Sequence, residues 1–510
     1  MYPKNMLDYF DCTVQNNPDK IALIHGEESL SFSDLADRSQ KLADYIAELV
    51  GEYSNRPICI FFPKSFEVVI GDIAALYSGN FFNNLDVEMP ESRLRNILKV
   101  LNPIAIITNN TYRPILQGIE ITCPIINLDE NAWEKTWGHK NELNEKRKQQ
   151  IDTDPLCIIN TSGSTGTPKG VLLTHRSYIE FLNWAIDTFH FSGSEILGTL
   201  NSIVFDLYIY ETCLMMVRGV TLVLLDKKLA AFPARLLQES ADKHVNYIFW
   251  VPTIMANIAN MGLLAKIPLP DLRLVWFCGE VLPTHQFNLW KQQYPNATFV
   301  NLYGPCETSV SSTYYIVDRE LKDEEPIPIG GACRNTDVLL LNDQDKPCKV
   351  NETGEICIRG TSLAMGYYNN PEKTAAAFVQ NPLNHLYPEK IYRTGDLAYK
   401  NTEGLLIFQG RKDNLIKHMG NRINLSEIEH IAIDTVKAVS NCCIVYNIKK
   451  GMITMFYESN GKSSLEIRKL MATQLPRYML PNAYHEMKCL PRNINGKIDR
   501  KYLKEFINQN

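Results

Sequence analysis

The sequence contains no apolar run that approaches the roughly 18 residues expected of a membrane-spanning helix. Its first residues, Met1-Tyr2-Pro3-Lys4-Asn5-Met6, lead directly into an amphipathic pattern and lack the apolar centre of a signal peptide. The net charge of −5 provides no basic field for nucleic acid or for an acidic membrane. We therefore expect no membrane insertion and no nucleic-acid partner.

Cysteine occurs 13 times, but the sequence lacks any Cys-x-x-Cys pair, and only Cys442 and Cys443 lie close together. An odd count without paired spacing disfavours both a disulfide framework and a zinc site. Each cysteine can instead serve as a small buried hydrophobic residue. The pattern predicts reduced thiols and a cytoplasmic location.

Internal repeats, low-complexity segments and Pro- or Ser-rich linkers are also missing, so no change of composition marks a domain boundary. Yet 510 residues are too many for one compact core, which predicts at least two domains. The best boundary is the charged stretch Gly410-Arg411-Lys412-Asp413, predicted to be a turn between two apolar strands. We place a large amino-terminal core at residues 1–412 and a small α+β domain at residues 413–510.

Short apolar runs alternate with helical periodicity along the larger part. Residues 21–25 and 30–32 are predicted strands around a turn, and Ser33 is predicted to cap the helix that follows. Beyond the boundary, Ser426 and Glu429 have the spacing of a capping box that starts another helix. The alternation predicts an α/β fold of layered sheets and helices, with a more β-rich portion between residues 338 and 408.

The most informative stretch is NTSGSTGTPKG, residues 160–170, in which hydroxyl side chains and glycines surround one lysine. Glycine lets backbone N–H groups turn towards an anion, hydroxyl groups donate hydrogen bonds, and Lys169 adds a positive charge. These properties indicate a polyphosphate-binding loop; a flexible polar linker is the alternative. Apolar runs on both sides favour strand–loop–strand, whereas a Walker A loop opens a helix and carries Gly and Ser/Thr beside its lysine.

This stretch resembles the phosphate-binding signature of the adenylate-forming superfamily, which includes acyl-CoA synthetases, luciferases and the adenylation enzymes of nonribosomal peptide synthesis. Further motifs of the superfamily follow in the family's order and span most of the chain. The resemblance implies a large core domain, a small mobile carboxy-terminal domain, and ATP and Mg²⁺ as cofactors. Asn160, Tyr208 and Asn424 depart from it, because Tyr, Ser and Glu are common at those positions.

The nucleotide motifs are Tyr303-Gly304-Pro305-Cys306-Glu307 and Thr394-Gly395-Asp396. The resemblance implies that Tyr303 stacks near the adenine, that Glu307 binds Mg²⁺, and that Asp396 accepts hydrogen bonds from both ribose hydroxyls. Cys306 replaces the usual Thr. Taken alone, Glu307 also fits a surface carboxylate, and Thr-Gly-Asp is a common turn. The residues that the resemblance implies for ATP or AMP binding are Thr161, Ser162, Gly163, Ser164, Thr165, Lys169, Gly279, Glu280, Asn301, Leu302, Tyr303, Gly304, Asp396, Arg411 and Lys497.

Asn495-Gly496 is a tight-turn signal that would present Lys497 at its tip. By itself this lysine fits a solvated surface charge. The resemblance implies that Lys497 is catalytic and bridges the substrate carboxylate and the α-phosphate, where its charge offsets two meeting anions. The resemblance also implies that the small domain turns about Asp413.

An acid at Asp206, ahead of the apolar residues 207–210, requires a cation or a role as a helix N-cap. The resemblance favours the first, because amino-acid-activating members pair an aspartate here with the substrate's α-ammonium group. The implied pocket contains no second charged residue, which favours a small uncharged side chain. D-alanine–carrier and prolyl-carrier ligases both resemble this pattern. The implied pocket residues are Asp206, Leu207, Tyr210, Phe249, Trp276, Cys278, Leu302, Val310 and Ser311.

The sequence thus predicts an ATP-dependent amino acid–carrier protein ligase. It would form an aminoacyl-adenylate, release pyrophosphate and transfer the aminoacyl group to a phosphopantetheine thiol. Since the chain ends soon after Lys497, we expect the carrier protein to be separate. An acyl- or aryl-CoA ligase and a non-catalytic nucleotide-binding protein are the alternatives.

Overall fold

The computed structural model describes residues 3–135, 138–161, 168–412, 415–447, 450–492 and 498–509. Three predicted features lie outside these residues: the phosphate-loop positions 162–165, the hinge residue Asp413 and the lysine Lys497. Their roles stay predictions.

The described chain alternates helices with strands, as the periodicity predicts. The α-helices are α1 (Met6–Asn16), α2 (Phe32–Val50), α3 (Phe66–Tyr77), α4 (Glu91–Leu101), α5 (Arg113–Leu116), α6 (Lys140–Gln149), α7 (His175–Phe189), α8 (Asp206–Arg218), α9 (Pro233–Asp242), α10 (Pro252–Asn260), α11 (Thr284–Gln293), α12 (Pro371–Ala377), α13 (Leu425–His430), α14 (Ser464–Ala472) and α15 (Arg500–Gln509). The strands are β1 (Ile21–His25), β2 (Glu28–Ser31), β3 (Pro57–Phe61), β4 (Phe81–Leu85), β5 (Ala105–Thr108), β6 (Ile125–Asn127), β7 (Pro155–Thr161), β8 (Lys169–Thr174), β9 (Ile196–Thr199), β10 (Thr221–Leu224), β11 (Tyr247–Trp250), β12 (Leu274–Cys278), β13 (Thr298–Tyr303), β14 (Thr313–Ile316), β15 (Gly331–Ala332), β16 (Thr336–Leu341), β17 (Gly354–Gly360), β18 (Gly366–Tyr367), β19 (Phe378–Gln380), β20 (Lys390–Lys400), β21 (Leu406–Arg411), β22 (Leu415–His418), β23 (Asn421–Asn424), β24 (Asn441–Asn447), β25 (Met452–Glu458) and β26 (Ala483–Glu486).

Two large sheets carry most of the chain. The nine-stranded sheet has the order β15-β14-β13-β12-β11-β9-β10-β1-β2, and the seven-stranded sheet has the order β18-β8-β7-β4-β3-β5-β6. Each sheet is parallel at its centre and antiparallel at an edge. The largest apolar cluster joins α2, α3, α7 and α8 to strands of both sheets. This arrangement confirms the predicted layered α/β fold.

The phosphate-loop flanks also form as predicted. Strands β7 and β8 are antiparallel neighbours, with Thr161 opposite Lys169 at the open end of the pair. Residues 162–167 are therefore flanked by a strand on each side, whereas a Walker A loop opens a helix.

The β-rich portion and the small carboxy-terminal part follow. Strands β16, β17, β19, β20 and β21 form a five-stranded sheet, and β24, β25 and β26 form a separate three-stranded sheet. The smaller sheet has its own apolar core with α13 and α14, which includes Ile428, Ile444, Met455 and Ile467. These features agree with the expected α+β composition, and the boundary at 412/413 stays a prediction.

Two predicted caps are wrong. The hydroxyl of Ser31, rather than Ser33, accepts the capping hydrogen bond, from the Asp34 N–H at 3.1 Å, so α2 begins at Phe32. Helix α13 begins at residue 425, because the Asn424 side chain accepts from the Ser426 N–H at 2.9 Å. The proposed capping partner there is engaged elsewhere.

That partner, Glu429, accepts a hydrogen bond from the Ile444 N–H at 2.6 Å and pairs with Arg500. The predicted turn at 410–413 is also wrong at its first two residues. Strand β21 continues through Gly410 and Arg411, since Arg411 pairs with Asp396 on β20. Tertiary partners, which local spacing does not reveal, decide both positions.

All 13 cysteines lie in the described part of the chain, and each is a free thiol, as predicted. Most are buried, including Cys59, Cys157 and Cys213. The described helices include none that is both long and apolar enough to cross a membrane.

Candidate active site

A cavity of about 110 Å³ lies where β7, β12 and β13 end. Its wall from the large part of the chain includes Thr161, Asp206, Cys278, Gly304, Asp396 and Arg411. Strands β12 and β13 are parallel neighbours, so their carboxyl ends lie at one edge of the nine-stranded sheet, where ligands of open α/β sheets bind, and β7 reaches the cavity from the seven-stranded sheet. Residues predicted from separate motifs thus meet in one cavity.

Asp396 is held by two of the predicted nucleotide residues. The Tyr303 hydroxyl donates to Asp396 Oδ2 at 2.6 Å, and the Arg411 guanidinium pairs with Oδ1. The register of β20 and β21 places Arg411 directly opposite Asp396, which explains their contact. The Thr394 hydroxyl accepts from the Asp396 N–H at 2.9 Å and fixes the turn. A carboxylate oriented in this way can accept hydrogen bonds from a diol.

Glu307 is fully buried and has a partner at each oxygen. The Tyr367 hydroxyl donates to Oε1 at 2.8 Å, and Arg422 pairs with Oε2 at 2.6 Å. Burial works to raise the pKa of Glu307, but the charge of Arg422 and the hydrogen bonds to the carboxylate together offset it and lower the pKa to about 2. The carboxylate is therefore ionised over the physiological pH range.

Tyr367 also connects Glu307 to the phosphate loop. The Lys169 ammonium lies 4.7 Å from the centre of the Tyr367 ring, in a cation–π contact. Strand β18, which carries Tyr367, pairs with β8, which begins at Lys169. The predicted phosphate lysine and the predicted metal carboxylate thus share one tyrosine.

The arrangement around Glu307 does not fit the predicted Mg²⁺. Both carboxylate oxygens have a hydrogen-bonding partner, and one partner is a guanidinium. A divalent cation at this carboxylate would meet the charge of Arg422 at close range in a buried setting. The assignment of Mg²⁺ to Glu307 therefore stays a prediction, and it requires Arg422 to lie away from the carboxylate.

Asp206 lies in the first turn of α8 and is 9% exposed. Burial raises its pKa to about 6, and the positive charge of Lys417 opposes that rise. Leu207 and Cys278 line the same cavity. A cationic ligand would stabilise the ionised form of this buried carboxyl and so lower its pKa.

The aromatic residues of the predicted pocket form a packed cluster beneath the cavity. Tyr210 and Trp276 are stacked, with ring centres 5.5 Å apart and planes 18° apart, and Phe249 meets Trp276 edge-on at 5.4 Å. All three are fully buried and lie outside the cavity wall, as do Leu302, Val310 and Ser311. The structure therefore brings three of the nine predicted pocket residues, Asp206, Leu207 and Cys278, to the cavity.

Two further residues that were predicted to bind the nucleotide form hydrogen bonds to other residues of the protein. Glu280 accepts from the Thr253 N–H at 3.1 Å and from the Thr253 hydroxyl at 2.6 Å. Asn301 donates to the Pro328 carbonyl at 2.8 Å. Gly279 lines the cavity with a φ of +98°, a left-handed conformation that favours glycine.

The departures from the family pattern have local partners. The Tyr208 hydroxyl donates to Asp72 Oδ2 at 3.1 Å, and Asn160 donates to Asn83 at 3.2 Å. Burial raises the pKa of Asp72 well above its ordinary value, and hydrogen bonds from Asn84 and Tyr208 oppose that rise. Of these residues, Asn160 lines the cavity, and it brings no charge to the wall.

Sequence reasoning missed the contribution of β22 and β23. Lys417, Gly420, Asn421 and Arg422 from this hairpin all line the cavity. The signal was present in the sequence: two strands around a Met-Gly turn, with a cation on each. Opposite positions of an antiparallel pair share one face, so the spacing could have indicated that both cations point the same way.

Known proteins resemble this chain over its full length. The family model described as "AMP-binding enzyme" matches residues 10–368. A D-alanine–D-alanyl carrier protein ligase from Bacillus cytotoxicus is 29% identical over 98% of this chain and 98% of its own length. Gramicidin S synthase 2 from Brevibacillus brevis is 30% identical over 99% of this chain, which spans only 11% of that synthase.

Among solved structures, the Vibrio cholerae adenylation domain AlmE, determined with glycyl-adenosine-5′-phosphate, has a TM-score of 0.84. The match covers 100% of this chain and 99% of AlmE at 20% identity, which shows the fold. The motifs, the cavity and the family match agree: this chain belongs to the AMP-binding enzyme family.

Proposed function

We propose that the protein is an ATP-dependent amino acid–[carrier protein] ligase. The observation that carries the proposal is the shared cavity, in which Asp206 on α8 faces the same space as Asp396 and Arg411. A buried acid whose pKa burial raises can bind an ammonium group, and a neighbouring oriented carboxylate can bind a ribose. One cavity can therefore hold an amino acid beside a nucleotide.

In the first half-reaction, a carboxylate oxygen of the amino acid attacks the α-phosphorus of ATP. The bond from that phosphorus to the bridging oxygen breaks, and pyrophosphate leaves with the electron pair. Asp206 would hold the α-ammonium, while Tyr303, Asp396 and Arg411 would orient the nucleoside. Such positioning accelerates a reaction between two bound groups. We assign Lys169 to the phosphates and Lys497 to the meeting anions.

In the second half-reaction, a phosphopantetheine thiolate on a carrier protein attacks the carbonyl carbon of the adenylate. The carbon–oxygen bond to AMP breaks, and a thioester forms. We propose that the carrier is a separate chain. The full-length similarity to a D-alanine–carrier ligase supports this proposal.

We propose a small uncharged amino acid as substrate, with D-alanine and L-proline favoured. The cavity is small, about 110 Å³, and Tyr210, Trp276 and Phe249 are fully buried in contact with one another, which leaves little room for a large side chain. Asp206 is the one acid among the predicted pocket residues, so a charged side chain would be buried without a partner.

The experiment is ATP–pyrophosphate exchange with each L-amino acid, glycine and D-alanine. We expect one strong signal, from D-alanine or L-proline. The matched variant Asp206→Asn keeps the shape of the side chain but lacks the charge, and should lose that signal while still binding ATP. If a plain carboxylic acid supported exchange and none of the amino acids did, the proposal would be replaced by an acyl-CoA-type ligase.

A further inference from the structure

The β22–β23 hairpin carries two cations opposite each other. Lys417 and Arg422 are register partners in the antiparallel pair, so their side chains leave the same face of the hairpin. Like charges directly opposite on one face are destabilising. A hairpin with this pattern needs anions opposite that face.

The large part of the chain supplies those anions within the cavity. Arg422 pairs with the fully buried Glu307 at 2.6 Å. Lys417 lines the same cavity as Asp206, and its charge acts on that carboxyl. Asp206 is the carboxylate that the proposed function assigns to the substrate ammonium, and Glu307 is the carboxylate for which the sequence predicted Mg²⁺.

Further contacts seat the hairpin tip. The Gly420 N–H donates to Glu280 Oε1 at 3.1 Å. Gly420 has a φ of +77°, and a Cβ added there would lie 2.9 Å from Val251 Cγ1. The close approach and the left-handed conformation both require glycine at this position.

We propose that Arg422 is a residue of the nucleotide site and that its guanidinium and a divalent cation are alternative occupants of Glu307. The inference rests on the proposed function for the identity of the nucleotide site. Seating of the hairpin then opposes metal binding, and metal binding with nucleotide releases the hairpin. Lys417 lines the same cavity as Asp206 and adds a second positive charge near it when the hairpin is seated.

The physical reason is the cost of placing a second cation at a buried carboxylate that already has one. Glu307 is fully buried, and Arg422 keeps only a small part of its side chain exposed. Repulsion between the guanidinium and a divalent ion is poorly screened in such a place. Arg422 and a divalent cation therefore weaken each other's binding to Glu307. By thermodynamic linkage, each must weaken the other by the same factor.

The first test measures metal affinity without turnover. Mn²⁺ binding is followed by electron paramagnetic resonance in the presence of α,β-methylene-ATP, which cannot release pyrophosphate. We expect Arg422→Gln to bind Mn²⁺ about tenfold more tightly than the wild type, a typical size for coupling between sites. Arg422→Lys, which keeps the charge, should stay near the wild type.

The control variant is Arg334→Gln, which removes an exposed Arg–Asp ion pair with Asp187 outside the cavity wall. It should leave Mn²⁺ affinity unchanged. Equal or weaker Mn²⁺ binding by Arg422→Gln would overturn the proposal. The assay contains no amino acid. Its result therefore does not depend on whether the protein activates amino acids.

The second test uses the wild-type protein and needs no variant to fold. Hydrogen exchange of peptides covering residues 415–424 is compared with α,β-methylene-ATP in EDTA and in Mg²⁺. We expect Mg²⁺ to speed exchange in this hairpin, including the Gly420 amide that donates to Glu280. Unchanged exchange at saturating Mg²⁺ and nucleotide would contradict the proposal.

Discussion

At the scale of single residues, Asp206 and Glu307 are buried carboxylates with opposite pKa shifts. Burial raises the pKa of Asp206 to about 6, because Lys417 compensates it only in part. Glu307 meets the same burial, but its ion pair with Arg422 lowers the pKa to about 2. The difference between the two is the presence of a direct cationic partner.

Asp206 should impose a pH dependence on amino-acid activation. Its carboxylate takes up a proton as the pH falls through about 6, and a neutral acid no longer attracts an ammonium group. We expect kcat/KM for the amino acid in pyrophosphate exchange to fall about tenfold per pH unit below that value. KM for ATP serves as the internal control and should change little. A flat profile for the amino acid between pH 5 and 7 would contradict the assignment.

The same shift predicts a gain of stability on neutralisation. A pKa that is higher in the folded state contributes stability at low pH and loses that contribution as the pH rises through about 6. At pH 8 the folded protein therefore bears the cost of a buried charge. Asp206→Asn should raise the free energy of unfolding there by about 1–3 kcal/mol, measured in urea, and by less at pH 4.

Gly304 is needed because another backbone segment passes against it. A Cβ at this position would lie 2.5 Å from Ser311 Cα and 2.8 Å from Ser312 N, and backbone atoms cannot move aside as a flexible side chain can. Gly304→Ala should lower the free energy of unfolding by about 1–3 kcal/mol and weaken nucleotide binding. Gly331→Ala is the matched control, since no atom lies within 4 Å of its added Cβ. Equal stability of the two variants would show that the backbone can adapt.

At the scale of elements, α8 is the support for Asp206, and a polar network fixes its position. Glu211 on α8 accepts hydrogen bonds from Thr199 and Asn201, which lie at and just beyond the end of β9. Lys64 donates to the carbonyls of Thr199 at 2.8 Å and of Leu225 at 3.2 Å. Burial raises the pKa of Glu211 and lowers that of Lys64, and the attraction between them opposes both shifts.

Removing the lysine of this network should destabilise the protein. Lys64→Met leaves the carboxyl of Glu211 buried without its compensating charge, and we expect a loss of about 3 kcal/mol in urea unfolding at pH 8. The double variant Lys64→Met/Glu211→Gln should recover part of that loss, because no uncompensated charge remains. A double variant less stable than the single variant would show that the hydrogen bonds of Glu211, rather than its charge, are decisive.

At the scale of the whole molecule, contacts between the small carboxy-terminal part and the large part determine what the cavity contains. Arg93 on α4 pairs with the buried Glu427 on α13 at 2.5 Å. Arg93 also lines the cavity, and the β22–β23 hairpin adds Lys417 and Arg422 to the same wall. The predicted catalytic lysine, Lys497, belongs to the same carboxy-terminal part. If the small domain is mobile, we expect Lys497 to occupy the cavity in one position of that domain, and Lys417 and Arg422 to occupy it in another.

Lys497 should act in one half-reaction only. Its charge offsets the meeting of a carboxylate and a phosphate, and no such meeting occurs when a thiolate attacks the adenylate. Lys497→Ala should lower pyrophosphate exchange by at least about a hundredfold, as loss of a charge-stabilising group commonly does. Transfer from a preformed aminoacyl-adenylate to the carrier should be retained. Wild-type exchange by this variant would remove Lys497 from the mechanism.

The sequence by itself determined the layered α/β fold, the strand–loop–strand unit at Lys169 and the grouping of Asp206, Asp396 and Arg411. It could do so because periodicity, turn residues and motif order are local properties. Only the tertiary structure decided the partners of Glu307, the cap of α13 and the packing of Tyr210 and Trp276 outside the cavity wall. Those depend on which distant side chains meet: Arg422 lies 115 positions from Glu307, and no local pattern encodes that pairing.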